Sequence, residues 1–221
     1  MQRPPATVPR YLVVEGVIGV GKTSLARLLA HRLGARLVLE AFEDNPFLPR
    51  FYEDPGRYAF HTQLAFLASR YRQQRELLTP DLFAQHLVSD YLFEKDRIFA
   101  HLNLSGDELK LYESIFQLMA TQVPPPDLVV YLRASVERLL ENIRQRGRPY
   151  ERHITREYLQ ALSQAYDFHF LRYRRSPLLI VDATELDFVH DPEDRELLLE
   201  QILHRPCTGT VYFHPPRKGP R

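Results

Sequence analysis

The sequence predicts an α/β fold, a five-stranded parallel sheet with helices on both faces, and three observations carry that prediction. Short, nearly continuous apolar runs recur along the 221 residues; strands that are apolar at every position are buried on both faces, as in a parallel sheet. Helical patterns separate these runs, which is the alternation of βαβ units. The first run leads straight into a glycine-rich turn and then an amphipathic helix.

Taken in order, residues 11–15 (YLVVE) form the first strand and residues 23–33 the first helix. Residues 36–40 (RLVLE) read as a second strand, and residues 56–78 as a long helix. A third strand spans 86–90 (HLVSD). Ser105, with Glu108 three positions later, has the form of a capping box opening a helix through Met119. The fourth strand is 127–132 (DLVVYL), followed by the helix SVERLLENIRQRG, which stops at Gly147. Residues 158–174 are helical, 177–182 (PLLIVD) form the fifth strand, and Asp191-Pro192 opens a last helix. Ligands of such sheets bind beyond the carboxyl ends of the strands. Gly16, Glu40 and Asp90 all close strands and are expected on one edge.

Composition narrows the function. Hydrophobic residues make up 44% and charged residues 26%, with a net charge of +1, so the chain supports a full core and lacks the field of a nucleic-acid or membrane-surface binder. No apolar stretch approaches the 18 residues of a membrane span. The lone Cys207 forms no internal disulfide, which suits a reducing cytoplasm. Histidines show no metal-ligand spacing, so no structural zinc is expected. Residues 1–10 read as a flexible leader, 11–206 as one domain, and 207–221 as a tail that is either a closing strand or a loose end.

The strongest motif is Gly16-Val17-Ile18-Gly19-Val20-Gly21-Lys22-Thr23, a full GxxxxGK[ST] P-loop that continues into Ser24. Its glycines let consecutive N–H groups turn toward phosphate oxygens, and the helix N-terminus adds its dipole. Lys22 is placed to bridge the β- and γ-phosphates of ATP, and Thr23 to offer its hydroxyl to Mg²⁺. The NKxD and DxxG motifs of GTPase switches do not occur.

Phosphoryl transfer to an alcohol needs a carboxylate to take the hydroxyl proton. Glu40, at a strand end, is either that base or a solvated loop acid like its neighbours Glu43 and Asp44. Arg144, Arg146 and Arg148 leave a helix at Gly147; they read equally as a mobile segment folding over a triphosphate or as a solvated helix end. Gln63 and Arg70, seven apart, share one helix face, either a base-holding surface or a solvent-facing amide and arginine.

These pieces resemble the deoxyribonucleoside kinase family, and within it the bacterial deoxyadenosine/deoxyguanosine kinase branch. The blocks are EGVIGVGKTS, LEAFEDNPFLPRFYEDPGRYAFHTQLAFLASRY, SDYLFEKDRIFA, ENIRQRGRPYERHITREYLQAL and DFVHDPED, spread over residues 11–203. The resemblance implies a P-loop NTPase-type sheet, a homodimer, and a lid near 144–153. It implies Glu40 as general base for a 5′-hydroxyl, Tyr52 and Glu151 on the sugar 3′-hydroxyl, Gln63 on the base edge, and Arg70 as an aid to the carboxylate. It makes Arg144, Arg146 and Arg148 the lid arginines. Where relatives carry an acidic-Arg-Ser motif, this chain has Ser89-Asp90-Tyr91. A one-residue shift makes Asp90 the acid, a ligand for Mg²⁺; without it, Asp90 takes the arginine's place. Ala41 stands where relatives often have proline, and Lys95 where they place a base-reading residue.

The implied function is transfer of the γ-phosphate of ATP to the 5′-hydroxyl of a purine deoxyribonucleoside, with Mg²⁺, in the cytoplasm. Two rivals share the motif: a nucleoside monophosphate kinase of thymidylate-kinase type, and a non-catalytic nucleotide-binding P-loop protein.

Overall fold

The computed structural model describes residues 8–41, 44–77, 85–205 and 207–216. The leader up to residue 7, Glu43, the last residue of the expected long helix and the end of the tail lie outside the described residues. One parallel sheet organises the rest. Its strands are β1 (Tyr11–Gly16), β2 (Arg36–Val38), β3 (Leu87–Ser89), β4 (Leu128–Arg133), β5 (Leu178–Asp182) and β6 (Thr210–Phe213). They lie in the order β2-β3-β1-β4-β5-β6. The chain leaves β1 toward β2 on one side and leaves β3 toward β4 on the other. Right-handed connections from these two neighbours therefore cover opposite faces of the sheet and leave a crevice above their carboxyl ends.

Apolar runs behave as expected of strands covered on both faces. Leu12, Val13 and Val14 in β1, Val129 and Val130 in β4, and Leu178 and Val181 in β5 are all fully buried. Each such side chain contributes about 1.5–3 kcal/mol relative to exposure. Helix α1 (Lys22–Leu33) packs on β1, β2 and β3 through its buried face of Leu25, Ala26 and Leu29, and ends at the left-handed Gly34. A second, aromatic-rich cluster joins α2 (Leu48–Glu53), α3 (Pro55–Leu77), α4 (Lys95–Asn103) and α5 (Gly106–Ala120) through Phe51, Leu67, Ala100, Tyr112 and Phe116, with Phe93 beside them. This helical layer forms one wall of the crevice.

The caps follow local chemistry. Ser135 accepts the Arg138 N–H at the start of α6 (Val136–Arg146), Thr155 the Tyr158 N–H at the start of α7 (Arg156–Phe170), and Asp191 the Glu193 and Asp194 N–H groups at the start of α8 (Pro192–His204).

Three expectations are corrected. The sheet has six strands: Thr210–Phe213 pairs parallel to β5, which decides the reading of the tail in favour of a closing strand. The helix after Ser105 begins where expected, but the left-handed Gly106 (φ 55°) turns its entry and the Ser105 side chain makes no cap bond. Helices α2 and α4, absent from the periodicity reading, are present. Both are short, and their helical pattern is interrupted by prolines or by the buried charges Lys95 and Asp96.

Candidate active site

The P-loop occupies the turn between β1 and α1. Gly19 (φ 88°) and Gly21 (φ 100°) hold conformations that side chains rarely adopt. A Cβ on Gly21 would sit 2.8 Å from the Phe188 ring. Lys22 Nζ donates to the carbonyls of Gly16 (2.7 Å) and Val17 (3.2 Å), tucked against its own loop. Burial, with repulsion from Lys95, pushes the Lys22 ammonium down to about 8, against the pull of Glu15, Glu40 and Asp90. Gly19, Val20, Gly21, Lys22, Thr23 and Ser24 line one cleft, whose other walls include Asn142 and Phe188. Asn142 donates to the Gly19 carbonyl at 2.8 Å. Gly16 and Val17 lie at the base of the loop, and Ile18 faces a second cleft.

That second cleft lies between the strand ends and the helical layer. Strands β2 and β3 are in register with Val38 opposite Ser89, so Glu40 and Asp90 leave the sheet side by side. Asp90 ties three parts together: Oδ2 accepts from the Thr23 hydroxyl at 2.5 Å, and Oδ1 accepts from the Glu40 N–H at 2.8 Å. Asp90 thus stands directly after β3, at the carboxyl edge of the sheet.

Glu40 is gripped by two cations. Lys95 Nζ donates to Oε2 at 2.6 Å, and Arg70 Nε donates to Oε1 at 3.0 Å. Burial tends to raise the Glu40 pKa, but Lys95 and Arg70 outweigh it and hold the carboxyl far below the usual range. Arg70 also pairs with the fully buried Asp96 and lies over the Phe66 ring, as Lys95 lies over Phe99. Gln63 and Arg70 are 2% and 3% exposed and both line the cleft, so their shared face is no plain surface.

The arginine segment divides. Arg146 and Arg148 line both clefts and converge on the buried Glu151, Arg146 Nη2 donating to Oε1 at 2.6 Å. Arg144, in the last turn of α6, is exposed and lines neither. Tyr52 lines the second cleft with Glu151. The two clefts share four residues: Lys22, Thr23, Arg146 and Arg148.

Lys95, which stands where relatives place a base-reading residue, donates to Glu40. Sequence reasoning passed over two further contributors. Asp96 left no signal beyond being the next acid. Glu15, fully buried, accepts from the N–H groups of Gly16 (2.7 Å) and Leu92 (3.0 Å) and so joins the P-loop to the segment carrying Asp90. Its place in an apolar strand run was the signal.

Hard oxygen donors fit a magnesium ion. Thr23 and Asp90 bring a hydroxyl and a carboxylate together, and Mg²⁺ commonly takes only one or two protein ligands besides phosphates and water. Among the described residues no group of three or more His, Cys, Asp or Glu forms a metal site.

A phosphate-binding loop and an acid-bearing pocket that meet at two cationic side chains and the P-loop lysine define a P-loop phosphotransferase. Comparison with known proteins carries the assignment further. Residues 12–207 match the family model described as deoxynucleoside kinase. The chain is 34% identical over 199 residues to a deoxyguanosine kinase of Bacillus subtilis, covering 87% of this chain and 95% of that one. It is 35% identical over 188 residues to a deoxyadenosine kinase of Dictyostelium discoideum, covering 83% and 75%. A deoxyadenosine kinase from M. mycoides with bound dATP shares the fold with a TM-score of 0.75 at 24% identity, covering 86% and 97%. The chain belongs to the deoxynucleoside kinase family. It is an ATP-dependent kinase acting on a deoxyribonucleoside.

Proposed function

We propose that this kinase phosphorylates purine deoxyribonucleosides at the 5′-hydroxyl, with Mg²⁺, as a cytoplasmic homodimer. The observation that carries the reading is the meeting of two clefts at Lys22, Thr23, Arg146 and Arg148. ATP occupies the cleft on the P-loop side. The nucleoside occupies the other, where Glu40 lies beside Asp90 and Thr23. The γ-phosphate crosses at the shared wall. Purine preference rests on the deoxyguanosine and deoxyadenosine kinases among the relatives.

Each side chain then has a task. Glu40 accepts the proton of the 5′-hydroxyl as the new P–O bond forms. Held by both Lys95 and Arg70, its carboxylate is a weak base. The loose transition state of phosphoryl transfer puts little demand on base strength and much on placement, and two cations on two oxygens give placement. Lys22, Arg146 and Arg148 face the charge that develops on the transferred group. Thr23 and Asp90 would hold Mg²⁺, which neutralises phosphate charge when bound. Tyr52 and Glu151 line the same cleft and hold the sugar 3′-hydroxyl. For Glu151 this means exchanging part of its bond to Arg146, so sugar binding and arginine release are coupled. No helix among the described residues is long and apolar enough to cross a membrane.

The test is product detection after incubation with ATP, Mg²⁺ and each of the four deoxynucleosides or their monophosphates. Monophosphate formed from dG or dA, faster than from dC or thymidine, is expected. Diphosphate formed only from monophosphates would sink the reading.

A further inference from the structure

Helix α3 presents Thr62, Gln63, Phe66 and Arg70 to the acceptor cleft. Arg70 holds Glu40 at one end of that face. Thr62 lies eight residues before it, about 12 Å along the helix axis. A nucleoside whose 5′-hydroxyl is at Glu40 therefore has its sugar in between and its base beside Thr62 and Gln63.

Both residues carry an unmet polar atom there. Thr62 is 1% and Gln63 2% exposed, and neither the Thr62 hydroxyl oxygen nor Gln63 Oε1 has a hydrogen-bond partner among the described residues. A helical threonine ordinarily finds one in a carbonyl a turn earlier. Here the Thr62 carbonyl accepts from Asn45 Nδ2 at 3.0 Å, while the hydroxyl finds no such partner. A buried hydroxyl without a partner is destabilising, and valine would have the same shape without the penalty. The arrangement makes sense when a ligand supplies the partner.

We propose that the Thr62 hydroxyl hydrogen-bonds the edge of the bound purine base beside the Gln63 amide, which makes Thr62 a specificity-determining residue. A hydroxyl both donates and accepts, as does the amide next to it. The pair matches a base edge on which donors and acceptors adjoin. This inference rests on the nucleoside-kinase reading of the cleft.

The experiment measures kcat/KM with ATP and dG, dA or dC for the wild type, Thr62→Val and Thr62→Ser, together with thermal unfolding of the three unliganded proteins. Thr62→Val is expected to lose about tenfold on the preferred purine, the worth of one hydrogen bond, and less on dC. Its unfolding midpoint is expected at or above that of the wild type. Thr62→Ser, which keeps the hydroxyl, is expected to stay near wild-type selectivity. An unchanged purine-to-dC ratio in Thr62→Val overturns the proposal, and so does a lowered midpoint, which would assign the hydroxyl to the fold. A wild type that phosphorylates dG and dA while Thr62→Val keeps its ratio sinks this inference alone; a wild type inactive on every deoxynucleoside sinks both.

Discussion

The cleft we assign to the phosphate donor is lined by consecutive residues, Gly19 to Ser24, while the cleft we assign to the acceptor gathers Glu40, Gln63, Arg70, Asp90, Lys95 and Glu151 from distant parts of the chain. The first is shaped by backbone conformation and by the space that glycine leaves. The second is an ion-pair network in a largely buried setting, where removing one charge leaves another uncompensated. Function on the donor side thus depends on local steric fit, and on the acceptor side on charge balance across the whole fold. Four experiments sharpen or break that contrast.

The largest effect is expected at the centre of the network. Glu40→Gln keeps the shape but removes the proton acceptor, and kcat should fall about 10²–10⁴-fold. ATP affinity measured by calorimetry should stay near that of the wild type. An equal loss of ATP binding would show that the two clefts do not act separately.

Next comes the shared wall. Arg146→Ala should lower kcat about 10²-fold, with a smaller rise in the KM for ATP. Arg144→Ala should leave both near wild type, because Arg144 is exposed and lines neither cleft. Matching losses in steady-state kinetics of the two variants would mean that the segment acts as a unit.

Gly21→Ala tests the steric side. Its Cβ would meet Phe188 at 2.8 Å, on a backbone with φ 100°. Strain of about 1–3 kcal/mol should raise the KM for ATP about tenfold and leave that for the deoxynucleoside unchanged.

The smallest effect is a pH dependence. Burial places Lys22 at about 8 in the free protein. A lysine is cationic below its pKa, so kcat/KM for ATP should be flat below about pH 8 and fall up to tenfold per unit above it. Saturating ATP, an anion, should move the fall in kcat to higher pH. Stability runs the other way. The folded pKa lies below the ordinary 10.5, so the unfolded chain binds more protons between the two values. The contribution of this group to stability rises across that window. A pH profile of kcat/KM without a limb near pH 8 would remove Lys22 as the titrating group.

The same contrast explains what could be read in advance. The P-loop was legible because its chemistry is contiguous: spaced glycines, a lysine and a hydroxyl between an apolar strand and a helix. Strand alternation fixed the parallel sheet, and with it the expectation that Gly16, Glu40 and Asp90 share an edge, as the bonds from Asp90 to Thr23 and Glu40 show. Helix stops and caps at Gly147, Asp191 and Pro192 were equally local. Strand β6 carries little periodic signal, being four residues of at most partial burial beside prolines.

Other features were decided by tertiary structure alone. Sequence spacing left Gln63 and Arg70 as either surface or site, since period shows which residues share a face and not what covers it. Three arginines in alternate positions looked equivalent until the turn at Gly147 aimed Arg146 and Arg148 at Glu151 and left Arg144 outside. Lys95 became a partner of Glu40 only when α4 packed among α3, α5 and α7. The physical reason is common to all three. Backbone turns and caps are settled by interactions within a few residues, whereas the state of a buried charge depends on which opposite charge the fold brings within about 3 Å of it.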